Sequence, residues 1–269
     1  MASTTYLAPS ILLHRGWNES SYVWSPFVTK VEARMRFAGL SYKQTAGSPR
    51  TAPKGKIPYI ELSQKGSDPE LIGDSSQIIE RLVNDGLLPD LNAKLGPVER
   101  AHDMALRALL EDKLYFYQGY EKWHENYYAM RDHSLSSIPY PIRIIVGLLA
   151  YRKTMTTLYG QGSGRFSGQE IAGFRENIWA NIEALLVDSR KKSAGSKEDA
   201  KCFWVLGGDG PSEADAVLYG FIIGALICFA APVSQRVVRT FPVIKEYAQR
   251  IHDRYFPDYT GWNESYHGD

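Results

Sequence analysis

Hydrophobic and polar positions in the first ninety residues alternate between short apolar runs and longer amphipathic stretches. Ser10–His14 is a short apolar run that is typical of a buried strand. An amphipathic helix is expected to begin at Ser25 and to end at Gly39. Three further strands are predicted at 41–45, 57–62 and 71–72. A second helix then begins at Asp74 or Ser75, so the predicted order is β-α-β-loop-β-β-α, a small mixed sheet with helices packed on it.

From about Pro97 the pattern becomes helical. Apolar residues repeat at three- and four-residue intervals, which predicts helices at 98–132, 139–159, 167–192, 216–231 and 241–254. The second of these helices is expected to bury Ile144, Ile145, Leu148 and Leu149. The helix from 216 is apolar nearly all round but, at about sixteen residues, is short for a membrane span, so a buried core helix is predicted. We therefore predict two domains, residues 1–90 and 97–269, joined near 89–96.

The charges of the chain nearly cancel, with 31 basic and 30 acidic residues, so no net field favours nucleic acid or an anionic membrane. Neither Cys202 nor Cys228 has CxxC spacing, which argues against a disulfide framework or a metal knuckle. The six histidines show no paired-ligand spacing, so we expect no metal. Because the N-terminus lacks a basic region followed by a long apolar run, we expect a cytoplasmic protein.

Polar residues at the two predicted helix starts are the first candidates for chemistry. Ser25, Asp74 and Ser75 each stand where unpaired backbone N–H groups and the positive end of a helix dipole meet. Such a position suits a thiolate or a carboxylate. The same residue types also begin ordinary helices as N-caps, and this alternative stays open.

Three short motifs follow one another along the first domain: Ser25-Pro26-Phe27, Ile57-Pro58 and Asp74-Ser75. Together they resemble the thioredoxin-like N-terminal domain of glutathione transferases. Their flanking residues look most like the failed-axon-connections and metaxin-like branch, and like fungal glutathione transferases of secondary metabolism, including the trans/cis isomerase type of the pseurotin pathway. The resemblance implies a thioredoxin-like α/β domain followed by an all-α domain, glutathione as the cofactor, and a homodimer.

The resemblance also implies roles for residues near the glutathione sulfur and its glycyl carboxylate. It places Ser25 beside the sulfur, where a hydroxyl would lower the thiol pKa. Tyr22, three residues earlier, is a second catalytic candidate. Because Ser25 is not a cysteine, chemistry through a mixed disulfide is not expected. Lys54 and Lys56 are candidates for binding the glycyl carboxylate, or else ordinary solvated lysines.

The rest of glutathione is assigned to two backbone features. In the family the proline corresponding to Pro58 is cis, which would turn the Ile57 backbone outward to pair with the glutathione peptide as an added strand would. Asp74 and Ser75 would hold the γ-glutamyl carboxylate at their helix start.

The long helix from residue 98 is rich in aromatic side chains in its second half. They could form the wall of an apolar cleft for the second substrate, or they could serve packing between helices or between subunits. The residues assigned to the substrate are Trp24, Tyr115, Tyr117, Tyr120 and Trp123.

These observations predict a glutathione-dependent transferase or trans/cis alkene isomerase that acts on a small apolar electrophile, within secondary metabolism. The competing hypothesis is a non-catalytic, metaxin-like protein that uses the same fold to bind a protein partner.

Overall fold

The computed structural model describes residues 9–16, 21–63, 68–193 and 202–262. Its N-terminal part contains a four-stranded sheet in the order β2-β1-β3-β4, with β1 and β2 parallel and the other pairs antiparallel. The elements are β1 (Ser10–His14), α1 (Pro26–Phe37), β2 (Lys43–Thr45), β3 (Tyr59–Ser63), β4 (Glu70–Gly73) and α2 (Ser75–Asn84). This is the predicted order, and the predicted mixed sheet is confirmed.

The direction of the strands brings three chain segments to one edge of the sheet. β1 runs antiparallel to β3, and β3 runs antiparallel to β4. The end of β1, the beginning of β3 and the end of β4 therefore lie at the same edge. His14 pairs with Tyr59, and Tyr59 pairs with Gly73, which fixes this alignment residue by residue.

The C-terminal part is helical, as predicted. Its α-helices are α3 (Pro97–Leu109), α4 (Tyr115–Tyr120), α5 (Tyr127–Ser134), α6 (Tyr140–Gln161), α7 (Gly168–Ser193), α8 (Glu213–Ile227), α9 (Pro232–Thr240) and α10 (Pro242–Tyr255). The single long helix expected from residue 98 is divided by two π-helical turns, Leu110–Leu114 and Glu121–Glu125, and breaks at Asn126. A short 3₁₀ turn, Ser163–Arg165, follows α6.

The buried helix α8 confirms the expectation drawn from its composition. Every residue from Ala214 to Leu226 is buried. Its start is held by Asp215, which accepts hydrogen bonds from the Ser212 N–H and hydroxyl at 2.7 and 2.8 Å. The backbone N–H of Val205 and the hydroxyl of Tyr247 donate to the other oxygen of Asp215. This carboxylate therefore joins three segments of the helical part.

The first helix of the sheet packs directly on α8, and glycine permits the close approach. A Cβ added at Gly220 would lie 2.3 Å from the carbonyl oxygen of Pro26. Arg34 of α1 also donates to Glu213 at the start of α8, over 2.8 Å. The position of the α1 start is thus set by the helical part as much as by the sheet.

The prediction for the interior of α6 is wrong. Ile144, Ile145, Leu148 and Leu149 are exposed by 42–63%, and the buried positions of this helix are Gly147 and Leu158. The four apolar side chains do form one stripe, but α6 packs on α4 and α5 through other positions. The periodicity locates an apolar face without showing whether the same chain covers it.

Among the described residues, no single helix is both long and apolar enough to cross a membrane. Helices α8 and α9 satisfy that requirement only when taken together, and the pair is bent by 117°.

Candidate active site

Ser25 occupies the position just before α1 but does not perform the capping role that its residue type suggested. Its backbone carbonyl accepts from the N–H of Val28 and of Thr29, while its hydroxyl makes no cap hydrogen bond. The side chain is partly exposed. A hydroxyl that makes no cap hydrogen bond, at the positive end of a helix dipole, is suitably placed for an anionic ligand atom.

The Ile57–Pro58 peptide bond is cis, as expected from the resemblance. Pro58 is buried, Ile57 is half-buried, and β3 begins only at Tyr59. Within the described part of the chain, neither the N–H nor the carbonyl of Ile57 has a hydrogen-bond partner. The Ile57 side chain lies next to the segment that follows β1, since a Cβ at Gly16 would lie 3.3 Å from the Ile57 Cδ1 atom. Ile57 therefore offers one donor and one acceptor at the shared sheet edge.

Asp74 caps α2 in the way an ordinary helix start requires. Its carboxylate accepts from the backbone N–H groups of Ser76 and Gln77 at 3.0 and 3.3 Å. Its φ of +82° is a strained value for a residue other than glycine, and such strain is concentrated at functional sites. Ser75 is the first helical residue and is only 6% exposed, and its hydroxyl has no partner among the described residues. The capping explanation therefore accounts for Asp74 and leaves Ser75 unexplained.

The two candidate lysines differ in their contacts. The Lys54 ammonium donates to the Gln77 side chain of α2 over 2.5 Å, so it lies beside the first turn of that helix. Lys56 is exposed. A third lysine, which the sequence analysis did not identify, is Lys30. It is buried and donates to Ser76 at 2.9 Å and to Glu111 at 2.7 Å, which joins α1, α2 and the first π turn.

The suggestion that Tyr22 activates the thiol is corrected by the structure. Its hydroxyl lies 2.5 Å from that of Tyr219 and 2.8 Å from the Nδ1 atom of His252, inside the helical part. The ring is 5% exposed, and burial raises the pKa of Tyr22 well above its usual value. Tyr22 is therefore a buried anchor of the segment before Ser25.

Trp24 is also more enclosed than a substrate-binding role implied. Its ring is 8% exposed and stacks on His133 of α5, with ring centroids 3.5 Å apart and an interplanar angle of 15°. Phe229, just after α8, meets the Trp24 ring edge-on at 4.5 Å and the His133 ring at 5.2 Å. Phe229 is 48% exposed, so this cluster reaches the solvent through Phe229. His133 and Phe229 lie more than a hundred residues from Trp24, and no local pattern identified either one.

The aromatic side chains assigned to one wall point in different directions. Tyr115 faces α1, with its ring 5.1 Å from that of Phe27. Tyr117 instead packs on Phe174 of α7 at 5.5 Å, and Tyr120 packs on His124. The assignment of Tyr117 and Tyr120 to a common wall with Tyr115 is therefore wrong, because these positions project from different sides of the helix.

Trp123 is half-buried in the second π turn. Its assignment to the substrate stays a prediction.

Ser25 lines neither of two surface cavities of the described chain. The larger, of about 440 Å³, is formed by Tyr120, His124, Met155, Thr156, Leu158, Tyr159 and Gly164. The smaller, of about 390 Å³, lies along β4 and α2 and includes Lys54 and Gln77. Within the described ranges, no group of three or more His, Cys, Asp or Glu side chains is arranged to hold a metal ion.

The mixed sheet with a cis-proline before β3, followed by a helical part whose buried helix packs on α1, defines the glutathione transferase fold. Residues 26–130 match the family model of the glutathione S-transferase N-terminal domain. The chain is 30% identical over 243 residues to the isoprene-epoxide–glutathione S-transferase of Rhodococcus sp. (strain AD45), covering 86% of this chain and 92% of that protein. The chain belongs to the glutathione S-transferase family and is a glutathione S-transferase-like enzyme.

Solved structures agree with this fold at low sequence identity. The glutathione transferase GSTFuA3 of Phanerochaete chrysosporium has a TM-score of 0.55 at 15% identity, covering 93% of this chain and 99% of its own. A maleylacetoacetate isomerase from Anaeromyxobacter dehalogenans 2CP-1 has a TM-score of 0.50 at 14% identity, covering 98% and 99%.

Proposed function

We propose that this protein binds glutathione at the sheet edge and joins its sulfur to a small apolar electrophile. The observation that carries the proposal is the meeting of the end of β1, the Ile57 backbone and the α2 start at one edge of the sheet, together with the 2.9 Å hydrogen bond from Lys30 that ties α1 to the α2 start. Ile57, which has no backbone partner among the described residues, offers a donor and an acceptor for a peptide, and the α2 start suits a carboxylate. The Ser25 hydroxyl at the α1 start offers a donor for the thiolate.

In this proposal Ser25 steadies the thiolate of bound glutathione. Its hydroxyl is not engaged in capping α1, so it can donate to the sulfur without breaking a bond of the fold. A hydrogen bond to the charged form lowers the thiol pKa, and the N-terminus of α1 acts in the same direction. The thiolate is then the nucleophile that attacks the bound electrophile.

Ser75 and Asp74 hold the γ-glutamyl end in this arrangement. Asp74 already uses its carboxylate on Ser76 and Gln77, so its contribution is to shape the turn. Ser75 keeps an unpartnered hydroxyl and the N–H of the first helical residue for the ligand carboxylate. Lys54, beside the same turn, adds a positive charge near the bound peptide.

The electrophile is proposed to bind beside Ser25 between the exposed rings of Tyr115 and Phe229. The Tyr115 ring stands against Phe27, two residues after Ser25, and the Phe229 ring stands against Trp24, the residue before Ser25. Such rings favour an apolar molecule. The name of the Rhodococcus relative points to a small epoxide, which is an apolar electrophile of this kind.

The finer assignments stay predictions. These are trans/cis isomerisation rather than conjugation, secondary metabolism, the metaxin-like branch, a cytoplasmic location and the homodimer. For the homodimer, the exposed apolar stripe of α6 is a surface of the type that subunit contacts use.

Glutathione binding by the Ser75→Ala variant tests the proposal. The Ser75 hydroxyl has no protein partner to lose, so the unfolding temperature of the free variant should remain that of the wild type. Removing a hydrogen bond to a carboxylate costs about 1.5–3 kcal/mol, so the glutathione dissociation constant should rise about 10- to 100-fold by calorimetry. Ser41→Ala is the control, since this exposed serine precedes β2 at the opposite edge.

Two results contradict different parts of the proposal. A wild-type protein that shows no thermal shift in millimolar glutathione would argue for the non-catalytic alternative. A Ser75→Ala variant that binds glutathione as tightly as Ser41→Ala would remove Ser75 from the site and leave the function standing.

A further inference from the structure

Arg15 directly follows β1, and its side chain is fully buried together with that of Glu32 in α1. The Nη2 atom of Arg15 donates to the Ser21 carbonyl oxygen at 2.7 Å and to the Glu32 Oε2 atom at 3.1 Å. The Nε atom lies 3.1 Å from Oε1, the other oxygen of this carboxylate. One buried cation therefore holds the end of the segment between β1 and α1 and ties it to α1 itself.

The backbone at Arg15 is fixed to the sheet. Its N–H donates to the Thr45 carbonyl oxygen of β2 at 3.1 Å. The next residue, Gly16, lies against Ile57, because a Cβ added there would be 3.3 Å from the Ile57 Cδ1 atom. Arg15 thus connects two places that the proposed reaction needs at one distance from each other, which are the sheet edge beside Ile57 and the segment that leads to Ser25.

Glu32 is held from a second direction by the C-terminal segment. The Tyr259 hydroxyl donates to the Glu32 Oε1 atom at 2.7 Å, and the Tyr259 ring meets the Tyr22 ring edge-on with centroids 5.1 Å apart. The Arg15 guanidinium carbon lies 5.3 Å from the centroid of the Tyr259 ring. If Arg15 turned away, the buried Glu32 charge would lose its ion-pair partner, which is strongly unfavourable. The direction of the guanidinium toward Ser21 is therefore fixed by its surroundings.

We propose that Arg15 is a positioning residue, which sets the distance between the Ser25 hydroxyl and the sulfur of glutathione bound at the sheet edge. This inference rests on the proposed function and adds to it the side chain that places the thiolate donor. Arg15 acts through the Ser21 carbonyl, four residues before Ser25, and touches neither glutathione nor the electrophile. Its planar guanidinium serves a carbonyl and a carboxylate at once in fixed directions, which the flexible point charge of a lysine does not.

The test is Arg15→Lys, which keeps a positive charge opposite Glu32 and loses the fixed geometry toward Ser21. The thiol pKa of bound glutathione, followed by the ultraviolet signal of the thiolate, should rise by about 1–2 units, because a displaced hydroxyl no longer stabilises the charged form. In step with this shift, kcat/KM at neutral pH should fall about 10- to 100-fold. S-methylglutathione has no thiol to ionise, so its dissociation constant should stay within about twofold of wild type.

Two comparisons separate positioning from a general loss of structure. In the Ser25→Ala background, Arg15→Lys should cause no further rise in the thiol pKa, because the donor through which it acts is absent. Arg36→Lys is the matched control, since Arg36 of α1 also pairs with a carboxylate, that of Asp258, at 2.8 Å. Among the described residues Arg36 makes no hydrogen bond to segment 21–25, so its variant should keep the wild-type thiol pKa.

A second variant decides the matter if Arg15→Lys does not fold. Arg15→Met combined with Glu32→Gln removes both buried charges together, which proteins tolerate better than the loss of one partner. Ser21 again loses its guanidinium donor. The same rise in thiol pKa and the same affinity for S-methylglutathione are expected.

An unchanged thiol pKa in the folded variant, or an equal rise with and without the Ser25 hydroxyl, would overturn the inference and leave the proposed function in place. A matching loss of S-methylglutathione affinity would also overturn it, because such a loss indicates a general structural role. If glutathione bound to the wild type titrates as free glutathione does, thiol activation by Ser25 is wrong and the inference with it. A wild type that binds neither glutathione nor S-methylglutathione would show that the proposed site itself is wrong.

Discussion

Replacing Gly220 by alanine perturbs the contact that positions the α1 start. The added Cβ would lie 2.3 Å from the Pro26 carbonyl oxygen and 3.2 Å from the Lys30 nitrogen. Both neighbours are backbone atoms, so no side chain can rotate away. Ordinary contact begins at 3.4 Å, and the two helices must therefore separate by about 1 Å.

The cost follows from opposing terms. Overpacking of a core typically costs about 1–3 kcal/mol, and a backbone clash of this depth belongs at the upper end. Alanine in place of glycine within a helix stabilises the folded state by about 1 kcal/mol, which offsets part of this cost. The expected net loss is about 2 kcal/mol, which corresponds to roughly 4–8 °C in unfolding temperature for a chain of this size.

Gly224→Ala is a matched control one turn further along α8. Its added Cβ would meet the Trp24 carbonyl oxygen at 3.3 Å and the Pro26 side chain at 3.8 Å, which small shifts accommodate. Its net effect should therefore be near zero. Both variants are compared by urea unfolding and by kcat/KM at saturating glutathione. Misplacement of a reacting group by about 1 Å lowers rates about 100-fold, and this loss is expected for Gly220→Ala alone. Equal stability of the two variants would refute the close-approach explanation.

Two further substitutions test the helix starts. Asp215→Asn replaces one acceptor oxygen by an amide and leaves buried donors of Ser212 or of Val205 unpaired, so unfolding in urea should show a loss of about 2–4 kcal/mol. An unchanged unfolding midpoint would contradict the buried network around this carboxylate. Ser25→Ala removes no cap hydrogen bond, so its stability should stay within about 0.5 kcal/mol of wild type, although the thiol pKa of bound glutathione should rise. Coincident ultraviolet titrations of the thiolate in wild type and variant would remove Ser25 from the mechanism.

Local rules predicted the sheet because its strands and turns depend on residues near each other in the chain. Two helix starts of the helical part follow local rules as well, since Ser212 bonds to Asp215 and Ser167 to Glu170, each three residues further on. The same rules failed at Ser25, which has the right residue type and position for a cap but no cap hydrogen bond. When a residue has the type and position of a helix cap but makes no cap hydrogen bond, a functional role for that residue should be tested.

What could not be predicted depends on pairing between distant segments. Tyr22 is directed inward by Tyr219 and His252, which lie about two hundred residues away. The stack of His133 on Trp24 likewise joins residues that are far apart in the sequence. The exposed stripe of α6 is a different failure, because periodicity reports an apolar face and not the molecule that covers it.

The residues that surround Ser25 explain why thiol activation and electrophile binding would be coupled in this protein. Tyr22 is bonded to α8 and α10, Trp24 is stacked on α5, and Pro26 is pressed against Gly220 of α8. The short segment 22–26 is thus held in place by contacts with the helical part, although it lies between β1 and α1 of the sheet domain. In the proposed reaction, a shift of these helices relative to the sheet would move the Ser25 hydroxyl and the electrophile together, and would so change their distance from the sulfur of glutathione held at the sheet edge. We therefore expect residues of the C-terminal half to change the rate of the proposed reaction through the position of Ser25, even where they touch neither substrate.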